Sequence, residues 1–313
     1  MAEKETMYGG QAVIEGVMMG GRFTSVTAIR RKDGTIAFFE VPRDSKSSYS
    51  FLKKWPLVRG VIGIIESSIL GSKHLNFSSE KYDKLPEEDV EETEENKGKW
   101  GMILGLSVMA ILSFLFGKFI FTLLPALAAD ALTPFFPGKV SQILTEGVLK
   151  IILLLAYIYF ISITPLMKRV FQYHGAEHKV INAFENDLSL TVENVKKQTR
   201  LHYRCGSSFI LFTAIISVFL YFFVPLHPLS VRMLTRIALI PVDLGLSYEV
   251  LRLTNAVRHI PGLKVLGYPG LWLQLLTTKE PDADQIEVAI AAFNEMKRRE
   301  ADTLLEKDTS VVS

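Results

Sequence analysis

The chain of 313 residues has one cysteine, Cys205, so an internal disulfide bond is excluded. The lack of a disulfide fits a protein exposed to a reducing compartment. Charged residues are also few, at 22% of the chain against 49% hydrophobic residues. The 35 basic and 33 acidic residues nearly cancel, which gives no direct evidence for a nucleic-acid partner.

Three further sequence signals are missing. The start of the chain lacks the charged segment, apolar run and cleavage site of a secretory signal, so we expect that the first hundred residues are not a secretory signal. The glycine-rich segment 9–19 lacks G-x-G-x-x-G spacing, and its glycines instead indicate tight turns or close backbone approach. No internal repeat is visible, which disfavours a transporter using Asp243.

Long apolar segments, by contrast, are abundant. About 20 apolar residues cross the hydrocarbon core of a bilayer. Four segments approach this length: 100–127, 148–167, 207–226 and, weakened by four charges, 233–253. Basic residues crowd the start of the first segment and the loop after the second, and are scarce in the other two loops. The positive-inside rule therefore predicts a multi-pass membrane protein with both termini and the loop after the second span in the cytoplasm.

The sequence as a whole predicts a mainly α membrane protein with about four transmembrane helices, flanked by cytoplasmic segments at both ends. Residues 1–79 are expected to form a small soluble α+β module, with strands at 12–19, 25–30 and 35–41 and an amphipathic helix at 57–75. Residues 80–99, with seven acidic residues between 87 and 95, are predicted to be a disordered linker. The membrane domain covers 100–277. A cytoplasmic helix, from about 285 to 306, and a tail occupy 278–313.

The most informative motif, H-x-x-E-H, consists of His174, Glu177 and His178 in the loop after the second span. If residues 167–184 are helical, the two imidazoles lie one turn apart on one face and can bind the same metal ion. This is the inverzincin order, in which two histidines bind Zn²⁺ and the glutamate acts as general base. The alternative is a solvated amphipathic helix with two incidental histidines.

A third metal ligand is available just before the third span. His202 and Cys205 lie there, and topology places them at the same membrane face as the motif. Imidazole and thiolate both suit zinc. Cys205 could instead be a nucleophile paired with His202, or a small packing residue. Glu249 could also close an inverzincin-like site, or form an ion pair with Arg252 one turn on.

Four motifs give the chain a wider resemblance: G-G-Q-A-V-I-E-G-V-M-M at 9–19, H-G-A-E-H-K at 174–179, H-Y-R-C-G-S-S-F at 202–209 and P-G-L-W-L-Q-L-L-T-T-K-E-P at 269–281. With these motifs the chain resembles the YqhQ-type family of bacterial membrane proteins, and the match covers nearly its whole length. The family is a domain of unknown function labelled a predicted metal-dependent enzyme. The chain departs from the family pattern at Gly20, where Arg is common, and at Tyr203, where Pro is common.

Two classes of function are compatible with these features. The first is a hydrolase or peptidase of the bacterial inner membrane, with zinc on His174 and His178, His202 or Cys205 completing the site, and Glu177 as the catalytic base. If both His202 and Cys205 bind, four protein ligands close the site and the metal is structural. The second class is a non-catalytic membrane adaptor or biogenesis factor for a large partner, such as the ribosome or the protein-insertion machinery.

Overall fold

The computed structural model of the protein describes residues 8–43, 51–87, 112, 116–117 and 119–312. Two predicted segments lie mainly outside these residues: the acidic linker, from residue 88 onward, and most of the span predicted at 100–127. The described chain is mainly helical, with one small antiparallel sheet near its N-terminus. This confirms the predicted α+β start and the mainly α character.

The sheet has four antiparallel strands in the order β1-β2-β3-β4, namely β1 Gly9–Val13, β2 Gly16–Gly20, β3 Thr24–Arg30 and β4 Ile36–Pro42. The single strand predicted at 12–19 was wrong, because the chain reverses at Ile14 and Glu15 and pairs Val13 with Gly16. Glu15 has φ +54° in this turn. The strands predicted at 25–30 and 35–41 are confirmed as β3 and β4, and they form a hairpin with Gly34 at φ +86°.

Ten α-helices follow among the described residues. They are α1 Val58–Lys81, α2 Leu124–Ala131, α3 Lys139–Ser162, α4 Pro165–Glu185, α5 Val192–Lys196, α6 Gly206–Tyr221, α7 Leu229–Ala238, α8 Ile240–Ala256, α9 Tyr268–Thr277 and α10 Ala283–Val312. The amphipathic helix predicted at 57–75 is confirmed as α1 and extends six residues further. The C-terminal helix is confirmed as α10, which begins two residues earlier than predicted.

One hydrophobic core joins three distant parts of the chain. The inner faces of β2 and β3, the second half of α4 and the first half of α10 pack together around Met19, Tyr173 and Phe293, which are at most 1% exposed. The sheet, the H-x-x-E-H helix and the C-terminal helix therefore form one packed unit. Burial of large side chains at this junction stabilises the position of α4, which carries the predicted site.

The apolar segments depart from the predicted spans. Among the described residues, α3 alone is long and apolar enough to cross a membrane, while α6 and residues Ile120–Ala131 are apolar but shorter. Because Pro165 disfavours helix at Thr164 and favours a new helix start, α3 ends at Ser162 rather than near residue 167. The segment predicted at 233–253 is interrupted at Leu239, and α8 then begins at Ile240 with Pro241 in its first turn.

Candidate metal centre

His174 and His178 lie on one face of α4, which confirms the helix predicted for the motif. Their ring centroids are 4.5 Å apart. Gly175, between them, allows a close approach of the backbone, because a Cβ atom there would overlap the carbonyl oxygen of Lys279. The backbone N–H of Lys279 also donates a hydrogen bond to the carbonyl oxygen of Phe171, at 2.8 Å. The segment after α9 is therefore packed directly against the H-x-x-E-H helix.

Both imidazoles are oriented by backbone carbonyls. His174 Nδ1 lies 2.8 Å from the carbonyl oxygen of Thr277, and His178 Nδ1 lies 2.6 Å from that of Arg200. A carbonyl oxygen only accepts a hydrogen bond, so each Nδ1 must carry the proton and donate it. In the neutral form each Nε2 therefore carries the lone pair with which histidine binds a metal, and at His174 this atom faces Cys205 Sγ at 3.2 Å.

Cys205 completes a group of three potential ligands with His174 and His178. Its Sγ lies 3.2 Å from His174 Nε2, and ligand atoms of the three residues all lie within 4.8 Å of one another. Zinc binds thiolate at about 2.3 Å and imidazole at about 2.0–2.1 Å, so a small inward movement brings all three donors onto one ion. A thiolate and two imidazoles form a donor set suited to zinc.

The charges of these groups depend on one another. Burial alone would raise the pKa of the Cys205 thiol, but the imidazoles of His174 and His178 hold that pKa well below its usual range. Burial opposes a charge on His174, yet the Cys205 thiolate and the Glu177 carboxylate raise the pKa of His174 to about 9. Cys205 also caps the N-terminus of α6, where the Ser207 backbone N–H lies 3.4 Å from Sγ. The thiolate, which is the metal-binding form, is therefore favoured.

Glu177 is buried beside this group, with 4% of its surface exposed. Its Oε2 atom has no hydrogen-bond partner among the described residues, while the backbone N–H of Gly10 hydrogen-bonds to the carboxylate. Burial raises the pKa of Glu177, and the nearby histidines only partly oppose this effect. A carboxyl group with a raised pKa and an unsatisfied oxygen can accept or donate a proton, as a general base or acid must.

His202, the alternative ligand, lies next to the group but faces elsewhere. Its Nε2 is 3.6 Å from a carboxylate oxygen of Glu185, and its ring centroid is 5.8 Å from that of His178. Burial lowers the pKa of His202 despite the opposing effect of Glu185. Burial would raise the pKa of Glu185, but hydrogen bonds from His202 and Arg204 lower it to about 2. Three predicted ligands therefore converge, and the fourth, His202, lies outside their group beside Glu185.

Glu249 belongs to a different contact. Arg59 on α1 donates from Nε to Glu249 Oε1 at 2.6 Å, and its Nη2 forms a second bond to Oε2. In this bidentate geometry each carboxylate oxygen of Glu249 accepts a hydrogen bond from Arg59. Glu249 therefore joins α8 to α1 and is not part of the histidine–cysteine group.

Comparison with known proteins places this arrangement in a family. A family model described as "Protein of unknown function (DUF1385)" matches residues 55–299. The "Uncharacterized protein YqhQ" of Bacillus subtilis (strain 168) is 60% identical over 296 residues, which cover 94% of this chain and 93% of that protein. The chain belongs to this YqhQ-type family. No solved structure matches the fold.

The four YqhQ-type motifs meet at the candidate centre. Gly10 comes from the first, His174 to His178 from the second, Cys205 from the third, and Thr277 from the fourth. Gln274, also in the fourth motif, bonds to both the backbone N–H and the carbonyl of His202 at 2.8 Å. From the sequence alone, neither the first nor the fourth motif was predicted to contribute to the site. The signal that could have suggested such a role is that both segments are family motifs, like the H-x-x-E-H segment itself.

Proposed function

We propose that the protein is a zinc-dependent hydrolase of the bacterial inner membrane, with its active centre at the cytoplasmic face and a peptide bond as its candidate substrate. The observation that carries this proposal is the number of converging ligands. His174, His178 and Cys205 converge, whereas His202 lies outside this group, with its Nε2 3.6 Å from a carboxylate oxygen of Glu185. Three protein ligands leave one position for water or substrate, which is typical of catalytic rather than structural zinc sites.

The residues around the centre would have distinct roles in hydrolysis. Zinc in such a site supplies Lewis acidity, which activates water and polarises a carbonyl group. Glu177 would take a proton from the attacking water on its unpartnered Oε2 and pass it to the leaving group. The carbonyls of Thr277 and Arg200 would keep the two imidazoles in the ligating tautomer. Burial of Glu177 and His178 would limit competing bulk water.

The surface of α3 supports a membrane location. Val140, Leu144, Val148 and Ile152 recur every four residues and are 51–57% exposed. Glu146, on the inward side of the same helix, is 1% exposed. An apolar outer face with polar groups inside is what a helix in contact with lipid requires. We propose that α3 spans the bilayer as part of a multi-pass fold with both termini in the cytoplasm.

Cobalt substitution tests whether the centre has an open position. Purified protein loaded with Co²⁺ is expected to show a sulfur-to-cobalt charge-transfer band that is lost in Cys205→Ser. Azide is expected to change the ligand-field bands, because it enters the fourth position. The matched control, His202→Gln, should respond to azide as the parent protein does. A spectrum insensitive to azide would indicate a closed, structural site and would contradict the hydrolase.

Glu177→Gln separates the hydrolase from the adaptor alternative. The substitution removes the proton acceptor but keeps the size and much of the hydrogen bonding. We expect it to retain metal and fold but to fail to complement a deletion strain, whereas Glu193→Gln, at an exposed carboxylate, should complement. Full complementation by Glu177→Gln would favour the adaptor. Loss of metal would indicate that Glu177 is a ligand or supports one.

A second candidate is a cysteine nucleophile, favoured by the 3.2 Å contact between Cys205 Sγ and His174 Nε2 at the N-terminus of α6. The sequence alone had suggested His202, and not His174, as the partner of a nucleophilic Cys205. A nucleophilic thiolate would react with iodoacetamide at equal rates with and without zinc. A zinc-bound thiolate would be protected, so protection by zinc favours the hydrolase.

A further inference from the structure

A groove lies beside the metal centre, between α1, α6 and α8. Its volume is about 630 Å³, which is the size of a pocket that binds a small ligand or a short segment of chain. At one end it is lined by Gln11 of β1 and by Arg204 and Gly206 at the start of α6. This cavity, the α1 groove, contains none of the three converging ligands.

The near end of the α1 groove adjoins the proposed ligand Cys205. Arg204 and Gly206 flank Cys205 in sequence, and both line the groove. Gly206 is exposed, and a Cβ atom there would meet nothing within 4 Å, so the space next to the ligand is open. A molecule lying in the groove would therefore end beside the proposed zinc position.

The same end of the groove adjoins the proposed general base. Gln11 lines the groove, and its neighbour Gly10 lies against Glu177. β1 is an edge strand of the sheet, and Gly9 and Gly10 are exposed. The backbone of an exposed edge strand can pair with the main chain of a bound peptide. The α1 groove therefore reaches both sides of the centre, as the substrate groove of a hydrolase must.

The groove follows one face of α1. Gly63, Ser67 and Gly71 recur every four residues along this face and line it. Gly71 marks the near end, because a Cβ atom there would overlap Gln11 Oε1, and Gly63 marks the far end, where a Cβ atom would be 3.9 Å from Tyr248 Cε2. The helix rises about 12 Å between these glycines. This length accommodates about three or four residues of extended chain.

The wall of the groove is mainly apolar and carries no net charge. Arg204 is the single charged residue in the described part of the wall, and its guanidinium forms an ion pair with Glu185. Burial of an unpaired charge is costly, so the groove disfavours a charged occupant. Apolar side chains from three helices contribute most of the wall, namely those of Ile64, Leu75, Phe209 and Leu251.

Neutral hydrogen-bonding groups also line the groove. The side chains of Gln11, Ser67 and Tyr248 have no hydrogen-bond partner within the described part of the chain. The main chain of a peptide presents one N–H and one C=O group per residue, which such side chains can bind. A lipid acyl chain has neither group. The combination of apolar walls and neutral polar groups therefore favours a peptide over a lipid.

We propose that the α1 groove binds an uncharged, apolar peptide segment of about three or four residues, on one side of the bond to be cleaved. This inference rests on the hydrolase proposed above and names the class of its substrate. Gln11 would hydrogen-bond to the substrate main chain near the centre. Tyr248 and Leu251 would enclose an apolar side chain further along the groove.

Peptide binding is measured on the full-length protein in lipid nanodiscs, with zinc and without it. The probes are two mixtures of acetylated tetrapeptide amides, one built from alanine, leucine, valine and phenylalanine and one from aspartate, lysine and serine. Dodecanol represents an acyl chain. Equilibrium dialysis gives the amount bound above that of empty nanodiscs. The apolar mixture is expected to bind at least about tenfold more than the charged mixture.

Two variants test the position of the peptide. Ser67→Trp should reduce binding of the apolar mixture by about tenfold or more, because the indole fills the groove, and it should retain zinc. Ser79→Trp, at an exposed serine of α1 outside the groove, is the matched control and should bind as the parent protein does. Gln11→Leu should weaken peptide binding by about fivefold and leave dodecanol binding unchanged.

The outcomes separate the groove from the hydrolase. Peptide binding that persists without zinc and is lost in Ser67→Trp supports the groove even if the centre proves not to be catalytic. Unchanged peptide binding in Ser67→Trp would overturn the groove and leave the zinc centre intact. If Ser67→Trp fails to fold, Gln11→Leu decides between them. Absence of peptide binding, equal binding of the two mixtures, or tighter binding of dodecanol than of the apolar peptides would also overturn the proposal.

Discussion

The backbone of Gly10 lies directly against the side chain of Glu177. A Cβ atom at residue 10 would be 3.0 Å from Glu177 Cδ, and the Gly10 N–H hydrogen-bonds to the carboxylate. The first strand of the sheet therefore covers the proposed general base. This contact connects the glycine-rich start of the chain to the H-x-x-E-H helix. The sheet is therefore part of the site and not a separate module.

Replacing Gly10 with Ala is expected to disturb both the sheet and the carboxylate. The new methyl group would overlap the Met18 carbonyl and crowd Glu177, at a cost of about 1–3 kcal/mol in the free energy of unfolding. Gly9→Ala is the matched control, because a Cβ atom there meets nothing within 4 Å. Thermal unfolding of the two variants should differ by several degrees. Equal melting temperatures would contradict the close contact.

Glu249→Gln should lower stability without removing zinc. The substitution breaks the two-bond contact with Arg59 between α1 and α8, and Glu249 is outside the group of converging ligands. Arg59→Gln should reduce the melting temperature similarly, and the double variant should lose little more, because both single variants remove one shared interaction. If zinc content falls in Glu249→Gln but not in Arg59→Gln, Glu249 is a ligand after all.

His74 makes stability depend on pH. Burial, together with Lys73 and Arg43, lowers the pKa of His74 to about 4 from an ordinary value of 6.5. As the pH falls below 6.5, the unfolded chain gains a proton that the folded chain does not, so stability decreases. From pH 7 to 5 this loss should reach about 2 kcal/mol.

Chemical denaturation at these two pH values checks the effect of His74. His74→Gln should remove this part of the pH dependence, while His259→Gln, at an exposed histidine, should leave it intact. An identical pH dependence in the parent protein and in His74→Gln would show that the buried imidazole, which lies 2.7 Å from Thr27 Oγ1, does not control it.

Local patterns allowed part of this structure to be predicted. Helical spacing was sufficient to bring His174 and His178 onto one face, and the position of Cys205 before an apolar helix suggested that it would lie nearby. Periodicity also predicted α1 and α10 closely. These features depend on residues near one another in sequence, or on a topology that positions helix ends together.

Contacts between distant segments could not be predicted in this way. Whether His202 binds a metal or Glu185 depends on how the loop before α6 is held by Gln274, 72 residues away. The division of the predicted 12–19 strand depends on a positive φ at Glu15, a residue type that usually avoids it. Glu249 was considered with Arg252, one turn away, but its partner Arg59 lies 190 residues earlier.

Zinc content of the purified protein tests the central claim most directly. The parent protein should bind about one zinc ion per chain, and His174→Ala, His178→Ala and Cys205→Ser should each lose most of it. His202→Gln, the matched control, should retain it, because that ring faces Glu185. Elemental analysis after dialysis against a weak chelator provides the measurement. A parent protein without stoichiometric metal, or a Cys205→Ser variant that keeps it while His202→Gln loses it, would contradict the proposed centre.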